Sequence, residues 1–121
     1  MSTFSICPSD WSNELSIQDA VDTVRQAFPS VTVSPDQGAN RAHSILERLR
    51  SLNAPDVVQD VYTRGASQAV MMTVSTSNSN AGAIEFMLMP GEGIQLHCTR
   101  DQIEIAHALA SALGYECEEI G

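Results

Sequence analysis

The chain lacks lysine altogether, and its six arginines stand against fifteen aspartates and glutamates, which gives a formal net charge of −9. A surface this anionic repels the phosphates of nucleic acids and anionic lipid headgroups. We therefore expect no nucleic-acid partner and no membrane partner. The acidity fits a surface that meets a basic protein partner, but adaptation to salt or a codon bias towards arginine would explain it equally well.

Aromatic residues, cysteines and long apolar runs are scarce as well. Aromatics make up 5% of the chain, so aliphatic side chains and methionine must fill the core. The three cysteines, Cys7, Cys98 and Cys117, are odd in number and widely spaced, which argues against a disulfide framework and favours a reducing cytoplasm. No run approaches the roughly 20 apolar residues of a membrane span, and the N-terminus lacks the features of a signal peptide.

What is present is the composition of one globular domain. Of the 121 residues, 43% are apolar and 17% are charged, which suffices for a single domain over residues 1–121 to bury a core. No repeat or linker divides the chain. We therefore expect one compact cytoplasmic domain.

Helical spacing of apolar residues marks the first half and the end of the chain. Two stripes recur every three or four residues, one after the N-cap residue Ser16 and one after Pro35. The first stripe consists of Ile17, Ala20, Val21, Val24, Ala27 and Phe28, and the second of Ala39, Ala42, Ile45, Leu46, Leu49 and Leu52. Residues 56–64 form either a third helix or a strand, since valine and tyrosine favour sheets. A last helix follows Thr99 and ends at Gly114.

Alternating apolar residues mark the strands. Short strands are predicted at 3–7, 31–34 and 115–120, and a three-stranded meander at 70–76, 83–89 and 94–98, with turns at 77–82 and 90–93. This order predicts an α+β fold. An antiparallel sheet, made of the C-terminal meander and the short N-terminal strands, packs against three to four helices, which lie mainly on one face. The order of the strands stays open.

The alternation along the meander separates two faces of the sheet. One face is strongly apolar and must lie under the helices; it carries Val70, Met72, Val74, Ile84, Phe86, Leu88, Ile94 and Leu96. The opposite face, which we call the methionine face, carries Met71, Thr73, Glu85, Met87, Met89, Gln95 and His97. A freely solvated face would carry more charge, and methionine is common where proteins bind other chains or apolar ligands. The pattern therefore predicts that something covers the methionine face.

Three covers are compatible with the sequence. Another part of this chain packs there, for instance a pair of helices; or a second copy stacks on it as a homodimer; or a small ligand binds above Met87 and Met89, with Glu85 and His97 as polar groups.

Residues that could carry catalysis or hold a metal do not form a recognisable constellation. His97 and Cys98 are neighbours on a strand, so their side chains point to opposite faces and cannot share a metal. Zinc ligands usually come in pairs two to four residues apart, and this chain has no such pair. Two histidine–carboxylate pairs have helical spacing, His43 with Glu47 and Glu104 with His107. Such pairs usually lie on the surface. The sequence thus predicts no catalytic residue, no metal ligand and no cofactor, although an enzyme is not excluded.

The function that the sequence favours is association with protein. We expect a small acidic domain without catalysis of its own, which forms a homodimer through the methionine face and possesses an acidic surface suited to a basic protein partner. The alternative from another class is a small-ligand-binding protein or minor enzyme with a pocket on the same face, around Glu85 and His97.

Overall fold

The computed structural model describes residues 1–75 and 82–121, and within them the chain forms four α-helices and six strands. In chain order these elements are β1 (Ser2–Cys7), α1 (Ile17–Ala27), β2 (Thr32–Ser34), α2 (Pro35–Ser51), α3 (Asp56–Gly65), β3 (Val70–Ser75), β4 (Ala83–Leu88), β5 (Ile94–Cys98), α4 (Ile103–Leu113) and β6 (Glu116–Glu119). The predicted α+β class is confirmed. The open choice at 56–64 is decided in favour of helix. Of the predicted turn at 77–82, only Gly82 lies within the described residues.

Local signals begin α1 and α2 and end α4 where the sequence predicts. Helix α4 itself begins at Ile103, later than predicted, because a 3-10 turn at Arg100–Gln102 follows Thr99. The Ser16 hydroxyl accepts a 3.1 Å hydrogen bond from the Asp19 amide at the start of α1. Pro35 occupies the first turn of α2, where it loses no helical hydrogen bond. Helix α4 ends at Gly114, whose φ of 71° lies in the left-handed region that glycine enters without strain.

The strands form two antiparallel three-stranded sheets rather than one. Their orders are β5-β1-β6 and β2-β3-β4. The predicted meander therefore holds for β3 and β4 but not for β5. Only an isolated bridge between Met89 and Glu92 closes the turn after β4. Beyond that turn β5 pairs with β1, because the apolar period of the two strands matches: Phe4 lies opposite Leu96, and Ile6 opposite Ile94.

Helices cover the strands on two sides, which corrects the expectation of helices mainly on one face. Helices α1 and α4 share one apolar core with β1, β3, β4 and β5, and all the residues that we assigned to the apolar face of the meander belong to it. Helices α2 and α3 form a second core with residues at the ends of β3 and β4; its buried members are Ala42, Leu46, Tyr62, Ala66, Ala69 and Met89. The second core requires a helix pair on the methionine face.

Gly38 explains how α2 comes so close to the sheet. A Cβ atom at this position would overlap the backbone of Val70 and the carbonyl oxygen of Ala69. Only glycine allows this approach, which brings the following turns of α2 over the start of β3. Among the described residues, every helix is too short or too polar to cross a lipid bilayer.

Candidate functional site

The methionine face is covered in large part by the chain itself. Met71 and Met89 are only 4% and 3% exposed, and Met89 packs among Ala42, Leu46 and Tyr62 of α2 and α3. Met87 is half-buried against the same core. Of the three covers compatible with the sequence, the chain's own helices therefore account for Met89, and Met71 is buried within the fold as well. Neither side chain is accessible to a second copy or to a ligand.

The rest of the methionine face opens into a groove of about 170 Å³ between the α2–α3 pair and strands β4 and β5. We call it the polar groove. It is lined by Arg41, Ile45, Tyr62, Glu85, Phe86, Met87, Glu92, Gly93, Gln95 and His97. Four of the seven predicted face residues are thus brought together here: Glu85, Met87, Gln95 and His97. Thr73 lies opposite Glu85 in the β3–β4 register and is half-buried, outside the lining.

Three polar residues of the groove are not predicted from the sequence. Arg41 comes from α2, Tyr62 from α3, and Glu92 from the turn between β4 and β5. The sequence marks Glu92 only as part of a glycine-rich turn, and residues 56–64 only as helix or strand. The pattern of α2 offers a usable signal for Arg41, since it lies one residue before the buried Ala42 and thus at the edge of the apolar stripe.

Tyr62 and Glu92 form an electrostatically unusual pair in this groove. Burial raises the pKa of the Glu92 carboxyl, and a hydrogen bond from Tyr62 offsets only part of that effect. Burial, followed by the charge of Glu92, raises the pKa of the Tyr62 hydroxyl to about 12. Tyr62 therefore stays protonated as a hydrogen-bond donor at neutral pH. In Glu92 the same burial disfavours the charged form of the carboxyl.

His97 is held by the neighbouring strand. Thr3 lies directly opposite it in the β1–β5 register, and the Thr3 hydroxyl shares a 3.0 Å hydrogen bond with His97 Nδ1. This contact fixes the orientation of an imidazole that lines the groove. Which nitrogen carries the proton depends on the tautomer, so Thr3 acts as donor or as acceptor.

The other candidate groups lie outside the polar groove. His43 Nδ1 contacts the carbonyl oxygen of Ala39 at 2.7 Å within α2. His107 stacks edge-on against Phe4, with ring centroids 5.6 Å apart. Cys98 is fully buried, and burial raises the pKa of its thiol, as befits a small core residue. Within residues 1–75 and 82–121, no cluster of three or more His, Cys, Asp or Glu side chains is arranged to hold a metal.

The groove therefore combines two carboxylates, one guanidinium, one imidazole, a phenol and an amide around the thioether of Met87. Such a set can bind and orient a polar ligand. The comparisons with known proteins add no constraint on that ligand: no protein-family model, no curated protein and no solved structure matches this chain.

Proposed function

We propose that this domain is a binding protein that takes up a cationic group, an alkylammonium or a guanidinium, in the polar groove. The observation that carries the proposal is the half-buried Glu92 carboxylate in a cleft that also contains Glu85. Partial removal from water disfavours the charged form of a carboxyl group, and carboxyl groups perturbed in this way concentrate at functional sites.

The balance of charge favours a cation over an anion. Glu85 and Glu92 together outweigh Arg41 among the groups that line the groove, and the whole chain carries a net charge of −9. A ligand cation beside Glu92 restores the electrostatic stabilisation that the carboxylate loses on burial. An anion in the same place would meet two carboxylates.

The size of the groove limits the ligand. A volume of about 170 Å³ is small beside the roughly 300–1,000 Å³ of pockets that hold drug-sized molecules. It suits a side-chain-sized group, such as a guanidinium on a short methylene stem. Met87 offers the stem an adaptable apolar contact, while the carboxylates face the charged end.

The same cationic group is offered by two kinds of ligand, a free small molecule and an arginine or lysine side chain of a basic protein partner. Both fit the sequence-based expectations, of a basic partner and of a pocket around Glu85 and His97. The test must therefore separate the two sources as well as the presence of binding.

The experiment is an NMR titration of the ¹⁵N-labelled domain with agmatine and, separately, with a short arginine-containing peptide. We expect amide shifts centred on Glu85, Glu92 and Gln95. A peptide with citrulline in place of arginine, which is nearly isosteric but neutral, should cause none of these shifts. Binding of agmatine alone, or more tightly than the peptide, identifies a small-molecule site, whereas binding of the peptide alone identifies a protein partner.

Glu92→Gln is the decisive variant, because it keeps the shape of the side chain and the capacity to accept from Tyr62. A charge-assisted hydrogen bond contributes about 1.5–3 kcal/mol, so the variant should weaken binding roughly tenfold or more. Asp36→Asn is the matched control, since Asp36 is exposed at the start of α2 and does not line the groove. Unchanged affinity in Glu92→Gln, or equal binding of the citrulline peptide, would contradict the proposal.

A further inference from the structure

Helix α3 exposes apolar side chains in its first turn. Tyr62 and Gly65 are buried in its second half, whereas Val57 and Val58 are 76% and 40% exposed. Leu52, just before this helix, is 71% exposed. Single exposed apolar residues are common on protein surfaces, but these belong to one short stretch beside an open groove.

That groove runs between α3 and the turn after β4 and has a volume of about 370 Å³. Its lining consists of Val57, Asp60, Val61, Arg64, Pro90 and Gly91. We call it the α3 groove. Most of these residues are apolar, and the two charged ones have opposite signs. Val57 forms part of the wall of this groove and is 76% exposed, so its side chain is open to contact with an apolar group of a partner.

We propose that the α3 groove is the two-fold interface of a homodimer, in which the α3 helices of two copies pack antiparallel. A two-fold interface requires one patch to be complementary to itself. In this arrangement the exposed Val57 of each copy packs against the α3 groove of the other. The self-association that the sequence predicts is thereby placed at the α3 groove instead of at the methionine face.

The charges along α3 select a second copy as the occupant and fix the direction of packing. Asp56 and Asp60 lie in the first half of the helix and Arg64 in its last turn. Antiparallel packing brings the acidic half of each α3 helix against the basic end of the α3 helix in the other copy. The two-fold axis repeats this contact, so it occurs twice in the dimer. Parallel packing would place aspartate against aspartate. Antiparallel packing also aligns the helix dipoles favourably.

The net charge of −9 opposes dimerisation but does not prevent it. At physiological ionic strength the Debye length is about 8 Å, so charges far from α3 are largely screened and those at the interface dominate. A ten-residue helix is roughly 15 Å long, so the contact between the two α3 helices is short. We therefore expect a reversible dimer that forms as the protein concentration rises.

Sedimentation velocity over a concentration series tests this for the full chain. The mass of the wild type should rise from monomer towards dimer. Val57→Asp should stay monomeric at every concentration with an unchanged circular dichroism spectrum. Ile120→Asp is the matched control: Ile120 is also an exposed apolar residue, at 51%, but lies after β6. It should dimerise like the wild type.

A charge exchange makes the test specific for the antiparallel arrangement. In Asp60→Arg the dimer would face arginine with arginine, and in Arg64→Asp aspartate with aspartate, so each variant alone should be monomeric. An equimolar mixture should form heterodimers, because each arginine then meets an aspartate of the other chain. Asp60 and Arg64 are also neighbours within one helix, so each substitution removes an intrahelical pair as well. Mixing the two variants cannot restore that pair, and dimerisation of the mixture would therefore report contacts between the two chains.

Three outcomes would overturn the inference: a wild type that stays monomeric throughout the series, a dimer that persists in Val57→Asp, or a mixture of the two charge variants that remains monomeric. The first would leave the α3 groove to another kind of partner. The second would place the dimer interface elsewhere on the chain.

Discussion

Gly38 of α2 lies so close to Val70 of β3 that a Cβ atom would overlap the Val70 backbone. This approach brings α2 onto the methionine face, where Met89 is buried among residues of α2 and α3, and leaves the polar groove beside it. The groove exists because a helix covers one part of this face while the edge near β5 stays open. A glycine in the first half of a helix thus decides where the groove opens.

Gly38→Ala should destabilise the domain even though alanine favours helix. The propensity gain is about 1 kcal/mol, but the new methyl group overlaps backbone atoms, which cannot move aside as a side-chain end could. We expect a net loss of about 1–3 kcal/mol in the free energy of unfolding, the usual range for overpacking. Urea denaturation measures it. Asn40→Ala, at an exposed position of the same helix, should be neutral or slightly stabilising. A Gly38→Ala variant as stable as wild type would mean that α2 lies further from β3.

Glu92→Gln should raise the melting temperature at neutral pH. Burial raises the pKa of Glu92 in the folded state above its ordinary value of 4.5, so the folded chain holds a proton that the unfolded chain releases. The contribution of protonated Glu92 to the free energy of unfolding is therefore fully present below pH 4.5, and it is lost as the pH rises through the pKa of Glu92 in the folded state. The advantage of the variant over wild type should vanish in acid.

Differential scanning fluorimetry across that pH range measures the difference. Glu85→Gln is a suitable control, because it removes one carboxylate from the same groove at an exposed side chain. If Glu92→Gln raised the melting temperature by the same amount at every pH, the burial of a charged carboxylate would not be the cause of the increase. A gain at neutral pH combined with weaker cation binding would indicate that Glu92 is retained for binding rather than for stability.

Tyr62 should titrate well above an ordinary tyrosine. Its pKa is raised from 10.0 to about 12, first by burial and then by the charge of Glu92. Absorbance of tyrosinate on alkaline titration should therefore show a step near 12 that is missing in Tyr62→Phe. In Glu92→Gln the step should move down but stay above 10.0, because burial is the larger cause. A step that does not move in Glu92→Gln would show that the two groups do not interact.

Tyr62→Phe should also cost stability. The variant removes the donor that partly offsets the burial of Glu92, and a carboxylate without that donor is more expensive to keep in the folded state. We expect a loss of about 1 kcal/mol at neutral pH, which denaturant unfolding can measure. The loss should shrink in acid, where Glu92 is protonated; a constant loss at all pH values would point to packing instead.

The sequence determined the elements and their inner faces, because those depend on local chemistry. Ser16 caps α1 through its own hydroxyl, Gly114 ends α4 in a conformation that glycine adopts freely, and the alternation from Val70 to Val74 selects the side that meets α1 and α4. The alternation also places Glu85, Met87, Gln95 and His97 on one face of the strands, and in the structure these four residues line one groove.

Only the tertiary structure decided which elements cover the methionine face and which other residues complete the polar groove. The methionine face is covered because α2 passes close to Val70 at Gly38. Strand β5 pairs with β1, which comes from the other end of the chain. The polar groove is completed by Arg41, Tyr62 and Glu92, which belong to three separate elements. Contacts between residues far apart in the chain leave no periodicity in the sequence. For that reason a pattern that predicts an apolar or a polar face cannot say which element will lie against it.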